Sequence, residues 1–431
     1  MATSTAIPCV PPELDMFSRS RIQNAILGHQ IIGVKTVNAV TQPLSTLEYS
    51  HSGASDYYRD LSHVYLKLKV CLKAEDGTPL PAENPPGVVN NLLYSLFQTM
   101  EVYLNEKCVC RVDHFGYKSY LETLLNYSPE TADTHLTAGM FYLDTPSHIE
   151  STAEANKDFT KRQELLAKSK SCELYGRLKC GLFNQSLLLP QGVDFRLKLT
   201  FSPESFYMWS AADAKKATLH IMDSTLYLKQ VLINPRVLIA HAEILAQTNA
   251  LFPMKRVEMK AFTMPPGARS LSLNSVCQGR LPSFLCFTMV DNINFNGHSQ
   301  HNCYSLLHKS ITNLSIFVNA EEHKIGPMDF HSTNPYFTCA YHSLFNTIGA
   351  DSKSVSHMIT PEMFSHGTFL ICKDLTPDGS GNISHTSLAS NGIVRIEANF
   401  AQPIDAAITC LVLLEYDSVL EIDQTRNVFV S

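Results

Sequence analysis

The sequence predicts an all-β fold with a few short helices, laid out as two similar antiparallel units in tandem. Three observations predict it. Short segments alternate apolar and polar residues with period two. Gly, Pro and Asn turn signals separate them. The order of elements in the first half recurs in the second.

The alternation is clearest at residues 64–73. Val64, Leu66, Leu68, Val70 and Leu72 share one face, and Tyr65, Lys67, Lys69, Cys71 and Lys73 the other. Successive side chains of a strand point to opposite faces, so this is a strand with one buried and one wet side. The pattern returns at residues 100–105, 193–201, 255–263, 313–318 and 394–400. One-sided strands belong to antiparallel sheets, because parallel sheets are covered on both faces and read as continuous apolar runs. Asp76-Gly77, Pro85-Pro86-Gly87, Pro265-Pro266-Gly267 and Asp378-Gly379 mark turns. Many short strands between such turns build sandwiches or barrels. Two segments carry helical spacing instead. Residues 115–127 place Phe115, Leu121, Leu124 and Leu125 at that spacing, with Pro129 behind them. Residues 334–348 have Pro335 near the start and Gly349 past the end, the usual asymmetry of helix termini.

The repeat lies in the order of these pieces. Strand 100–105 turns into 107–112 and helix 115–127 follows; strand 313–319 turns through Ala320, Glu321 and Glu322 into 323–325 and helix 334–348 follows. Segment 193–201 precedes a β-rich stretch at 218–233, as 393–400 precedes 407–422. A chain of 431 residues fits two or three domains. The expected division is an N-terminal arm over 1–45, a first unit over 46–235 and a second over 236–431, joined near Asn234-Pro235. Each half is long enough to bury its own core. The arm reads as irregular because Pro8, Pro11, Pro12 and Pro43 punctuate it, although residues 26–34 are apolar enough to pack on something.

Composition narrows the function. Hydrophobic residues make up 45% and charged residues only 17%, against about 25% charged in ordinary globular chains. Charge is depleted where partners pack, so much of this neutral surface is expected to be interface; the competing reading is a monomer with a polar, uncharged skin. The net charge of −6 and the pI of about 6.3 argue against a sequence-specific nucleic-acid partner. The densest basic stretch, residues 157–170, also holds Asp158 and Glu164 and reads as a solvated loop or short helix. Residues 1–18 lack a basic segment followed by an apolar one, so no signal peptide is expected. The 12 cysteines are then expected as buried free thiols, and the sequons at Asn126, Asn184, Asn313 and Asn382 carry little weight. The longest apolar stretch, 406–414, is far short of the ~20 residues of a bilayer span, so no integral membrane insertion is expected.

Motifs that carry chemistry are missing. There is no nucleophile elbow, phosphate loop, dinucleotide fingerprint, paired-histidine zinc helix or C-x-x-C. The expectation is no enzyme: no catalytic residue, no cofactor and no assigned metal ligand. His298, His301 and Cys303 are the nearest approach to a zinc set; the competing reading is a polar loop led in by Asn292, Asn294, Asn296 and Gly297. Cys108 and Cys110, two apart on a strand, share a face, but the spacing reads as incidental. The 17 histidines are dispersed, which suits a surface more than a pH-responsive assembly. The aromatic run 201–209 holds the only tryptophan, Trp209. It is either an exposed anchor for a partner or a loop packed on its own body.

A set of local motifs brings a resemblance. Residues 13–18 (ELDMFS), 122–128 (ETLLNYS), 174–178 (LYGRL) and 183–199 (FNQSLLLPQGVDFRLKL) resemble the capsid proteins of Polinton (Maverick) elements and adintoviruses. The resemblance covers most of the first half; the second half matches in order of elements more than in residues. It implies a double jelly-roll major capsid protein: two tandem antiparallel eight-stranded jelly rolls, a hexon-like homotrimer, and pseudo-hexagonal capsomers tiling an icosahedral shell around double-stranded DNA. It implies neighbouring capsomers, penton and minor capsid proteins as partners, the virion capsid as location with assembly in host nucleus or cytoplasm, and no catalytic or cofactor residue. Jelly rolls hide most sheet edges and leave inter-strand loops free to vary. Loops 76–89, 129–171 and 374–391 are expected on the top face or at interfaces, and the arm beneath the shell. Other readings are a penton or minor capsid protein, a lectin-like β-sandwich binding protein, and a glycosidase with paired carboxylates.

Overall fold

The computed structural model describes residues 12–16, 22–53, 56–80, 85–212, 214–333, 335–350, 356–379, 381 and 386–430. Residues 1–11 and 17–21 of the expected arm, Asn334, the sequon at Asn382 and parts of loops 76–89 and 374–391 lie outside the described residues.

Sixteen strands carry the architecture. The first eight are β1 (Ile26–Lys35), β2 (Thr46–His51), β3 (Tyr57–Ala74), β4 (Phe97–Leu104), β5 (Lys107–Asp113), β6 (Cys172–Arg177), β7 (Phe195–Phe201) and β8 (Ala217–Ile233). They form two four-stranded antiparallel sheets, in the orders β1-β8-β3-β6 and β2-β7-β4-β5. The second eight are β9 (Ala250–Met264), β10 (Ser270–Arg280), β11 (Phe284–Asp291), β12 (Ile311–Val318), β13 (Glu321–Ile325), β14 (Ile371–Asp374), β15 (Asn391–Phe400) and β16 (Ile408–Ile422). Their orders are β9-β16-β11-β14 and β10-β15-β12-β13, with Val428–Val430 added beside β16. Raising each first-half label by eight gives the second half. In both, the first strand pairs the eighth, the second the seventh, the third the sixth and the fourth the fifth. That nested pairing is a long hairpin rolled up, and the chain is a double jelly roll.

The period-two segments become the central strands. Val64, Leu66, Leu68, Val70 and Leu72 on β3 are all buried, and Leu66 lies opposite Leu226 of β8. Cys71, assigned to the wet side, is buried as well. The apolar run 406–414 departs from alternation for a physical reason. Ile408–Leu414 of β16 is buried at every position, because one side faces its own sandwich and the other faces the first roll. Leu413 and Glu415 line a crevice with Lys118 and Glu122 of that roll.

Four helices matter. α1 (Phe115–Asn126) forms where the spacing predicts it, with ten of its twelve residues buried. α2 (Lys157–Leu166) turns the basic stretch into a helix with a buried side, Phe159, Arg162 and Leu166, so that stretch is not merely solvated. α3 (Pro235–Leu245) follows the expected junction; Asn234 accepts from the Arg236 N–H at 3.0 Å and Pro235 takes the first turn. α4 (Thr338–Thr347) begins later than the spacing predicts. Asp329 and Tyr336 form an antiparallel bridge that keeps the preceding residues extended.

The arm differs from expectation. Residues 26–35 are not irregular: β1 pairs β8 along nearly its whole length, from Ile26 opposite Ile233 to Lys35 opposite Thr225. β8 exposes a long edge of unpaired backbone groups, and β1 satisfies them.

Candidate functional site

The candidate features are the seam that makes one body of two rolls and the surfaces left outside it. Buried apolar side chains of both rolls form one continuous core. The seam is built from α1, the 129–171 segment and the 292–304 connection between β11 and β12.

At its centre is an ion pair. Arg162 on α2 and Asp144 lie 2.6 Å apart, with both side chains at most 1% exposed. The guanidinium also donates to the carbonyls of Tyr142 (2.6 Å) and Val88 (3.1 Å), so its fork is filled. It stands over the rings of Phe159 and Trp209. Asp144 accepts from Asn156 Nδ2 at 3.0 Å and from Asn302 Nδ2 at 3.2 Å. Asn302 belongs to the second roll. It also donates to the Ile149 carbonyl at 2.9 Å, and its backbone N–H to Glu150 at 3.1 Å. Asn294 donates to the other oxygen of Glu150 at 3.1 Å. Loop 129–171, expected on the top face or at interfaces, spends Asp144, Ile149 and Glu150 on holding the chain's own second half.

Aromatic packing continues the seam. Tyr304 stacks on Tyr120 at 4.1 Å between centroids and meets Tyr117 edge-on at 5.7 Å. Its hydroxyl shares a 2.6 Å hydrogen bond with Ser95. Burial pushes both the Tyr117 and Tyr304 hydroxyls well above the ordinary tyrosine range. Beside them is a buried charged group. Lys118 donates to Glu122 at 2.7 Å and to the Lys179 carbonyl at 2.9 Å. Lys179 donates to the Ser119 carbonyl at 3.0 Å and to the Thr123 hydroxyl. Burial lowers the Lys179 amine to about 7, with Glu122 opposing the shift and Lys118 adding to it. Burial raises the carboxyl of Glu415, on the facing β16.

The sequence-level candidates fall as follows. His298 and His301 meet edge to face at 4.9 Å between centroids on the connection between β11 and β12, whereas Cys303 is buried with its thiol pushed up by desolvation. Among the described residues no three His, Cys, Asp or Glu side chains gather around a common point suited to a metal. Cys108 is exposed and Cys110 buried, so the two do not share a face; a register shift in the β4–β5 pairing separates them. Cys110 instead meets Cys180 at 2.7 Å. The aromatic run 201–209 packs inward: Trp209 is fully buried against Phe159 at 4.5 Å, and Met208–Trp209 pairs with Gly87–Val88. Sequence reading missed Asp144, Asn302 and Tyr304, because only their meeting in space gives them a role. Among the described residues no helix is long and apolar enough to cross a membrane.

No family model matches this sequence. The chain is 22% identical over 398 residues to the uncharacterized protein F54H12.2 of Caenorhabditis elegans, covering 89% of this chain and 92% of that protein. Among solved structures it is similar to a chain of the Sputnik virophage, with a TM-score of 0.66 at 11% identity, covering 99% of this chain and 93% of the other. It is similar to VP54 of PBCV-1 at a TM-score of 0.58 and 11% identity, over 96% and 99% of the two chains. It is similar to the mavirus major capsid protein at 0.51 and 11% identity, over 99% and 95%. These likenesses span both rolls, and together with the nested strand order they establish the fold of this chain as the double jelly roll.

Proposed function

We propose that this chain is a major capsid protein that forms homotrimeric, pseudo-hexagonal capsomers of an icosahedral shell around double-stranded DNA. The single observation that carries the reading is the doubling. Two rolls of identical strand order are fused side by side through a buried seam. Three such chains around a three-fold axis present six similar bodies, which suits a lattice position with six neighbours. A separate lectin-like sandwich has no use for a second copy locked to it in this way.

The solved likenesses support the same role, one of them, that of mavirus, being named as a major capsid protein. The local motifs at 13–18, 122–128, 174–178 and 183–199 point more narrowly, to the Polinton and adintovirus type. The role is structural, with penton, minor capsid proteins and neighbouring capsomers as partners and the virion capsid as location. We place the units at 46–235 with β1 added to its sheet, and at 236–431, with the part of the arm that precedes β1 beneath the shell.

Expression of the full chain, followed by size-exclusion with light scattering and negative-stain imaging, tests the reading. The expected result is a stable trimer with pseudo-hexagonal outline. A chain that stays monomeric at all concentrations overturns it.

A further inference from the structure

One surface is apolar without being covered. α3, between the two rolls, reads PRVLIAHAEIL, yet none of its residues is buried. Ile239 is 62% and Ile244 58% exposed; across from the helix Leu187 is 46% and Leu251 56% exposed. Beneath Ile244, a groove of about 520 Å³ opens between α3, the start of β1 and the start of β9, floored by Tyr58, Ile233 and Phe252. That is the size of a pocket that takes up a few large side chains. Contiguous exposed apolar surface of this kind marks a contact site.

The arm begins at the rim of this groove. Ala25 and Ile26 line it. The Asn234 N–H donates to the Ala25 carbonyl at 2.8 Å, and Asn234 Nδ2 donates to the Asn24 carbonyl at 3.0 Å, so the root of the arm is tied to the head of α3. Further out, Leu14, Met16 and Ile22 are 62%, 73% and 86% exposed. The chain therefore carries an unfilled apolar groove and an arm with unburied large apolar side chains, joined at one point. Within one copy the two do not meet. Glu13 and Asp15 flank Leu14 on the arm, whereas α3 carries both Arg236 in its first turn and Glu243 beside Ile244, so the match between arm and groove is carried by their apolar side chains and by the shared root at Asn234.

We infer that the groove under α3 receives the arm of a second copy of this chain, with Leu14 and Met16 of Pro12–Met16 as the inserted side chains. This rests on the capsid reading for the copies to be held near one another. Exchange of this kind is heterologous, each copy giving an arm and taking one, and it ties successive copies without a new protein. Leaving Leu14, Met16, Ile244 and Leu251 in water costs solubility; docking in the groove removes all of them from water at once.

The test uses the full chain with Leu14→p-benzoylphenylalanine, made from equal amounts of natural-abundance and nitrogen-15 protein. After irradiation, mass spectrometry of the crosslinked peptides is expected to show the arm joined to residues 237–252, with mixed-isotope pairs proving that two copies contribute. Ile244→Glu, at an exposed position, is expected to reduce that crosslink at least tenfold while light scattering still reports the same trimer. Crosslinks confined to same-isotope pairs, or to other surfaces, overturn the inference. So does a groove that, with p-benzoylphenylalanine at Leu251, labels only added phosphatidylcholine–phosphatidylserine vesicles. A trimer with no arm-to-groove crosslink sinks this assignment and leaves the capsid reading standing, whereas a persistent monomer sinks the capsid reading itself.

Discussion

Arg162 brings a guanidinium into the middle of the molecule, and its surroundings are arranged to satisfy it. Asp144 neutralises it, two carbonyls accept from it, and Asn302 reaches across from the second roll to complete the carboxylate. Removing one partner of such a pair leaves the other charge buried and unpaired. Asp144→Ala is therefore expected to destabilise the chain by about 3–5 kcal/mol, read as a shift in the chemical-denaturation midpoint. An unchanged midpoint would show that water reaches the site. Lys179 gives a pH signature. Its amine titrates near 7 in the folded chain against 10.5 for the ordinary group. Between those values the unfolded chain holds a proton that the folded chain lacks, so this residue makes stability rise with pH across that window and contributes no slope below it. Lys179→Met is expected to flatten the stability–pH curve between pH 7 and 10 by up to about 1.4 kcal/mol per unit. Parallel curves for the two proteins would refute the assignment. Asp144, Asn302 and Lys179 did not stand out in the sequence, since a single charged or amide side chain carries no local mark of burial.

At the scale of elements, close approach decides more than propensity. The turn Gly181–Asn184 lies against β9, and a Cβ on Gly181 would collide with the Lys255 carbonyl oxygen of that strand. Because the neighbour is backbone of the other roll, the clash has no cheap relief. Gly181→Ala is expected to cost at least about 1–3 kcal/mol, measured by thermal or chemical unfolding; a neutral result would show that the rolls sit further apart. The strands with one wet face were legible because alternation is a local property. β1 was not, since an apolar edge strand does not alternate, and only its pairing with β8 defines it. α3 was legible in principle: Asn234 followed by Pro235 is a helix start, but at a boundary between units the pair reads equally as a turn.

For the whole molecule, the shared core has a thermodynamic consequence. The two rolls do not own separate cores, and the seam between them is filled with buried side chains. Calorimetry is expected to show one unfolding transition for the chain, and Asp144→Ala is expected to broaden or split it by loosening the seam. Two well-separated transitions in the unmodified chain would mean that the rolls are independent bodies. The low charge content has its partial explanation at this scale. Much of the uncharged polar surface is spent inside, on Asn294, Asn302, Ser95 and the tyrosines.

The sequence by itself determined the class and the layout: antiparallel, all-β, two similar halves, and helices at 115–127 and within 334–348. These follow from periodicity and turn chemistry, which act over a few residues. The tertiary structure alone decided which strands are neighbours, that Asp144, Arg162 and Trp209 face inward, that Cys303 leaves its histidines, and that the halves are welded by Asp144, Asn302 and Tyr304. Asp144 and Asn302 are 158 residues apart along the chain. No short-range signal links such positions; they are brought together by the burial of two sandwiches against each other, which is a property of the folded body.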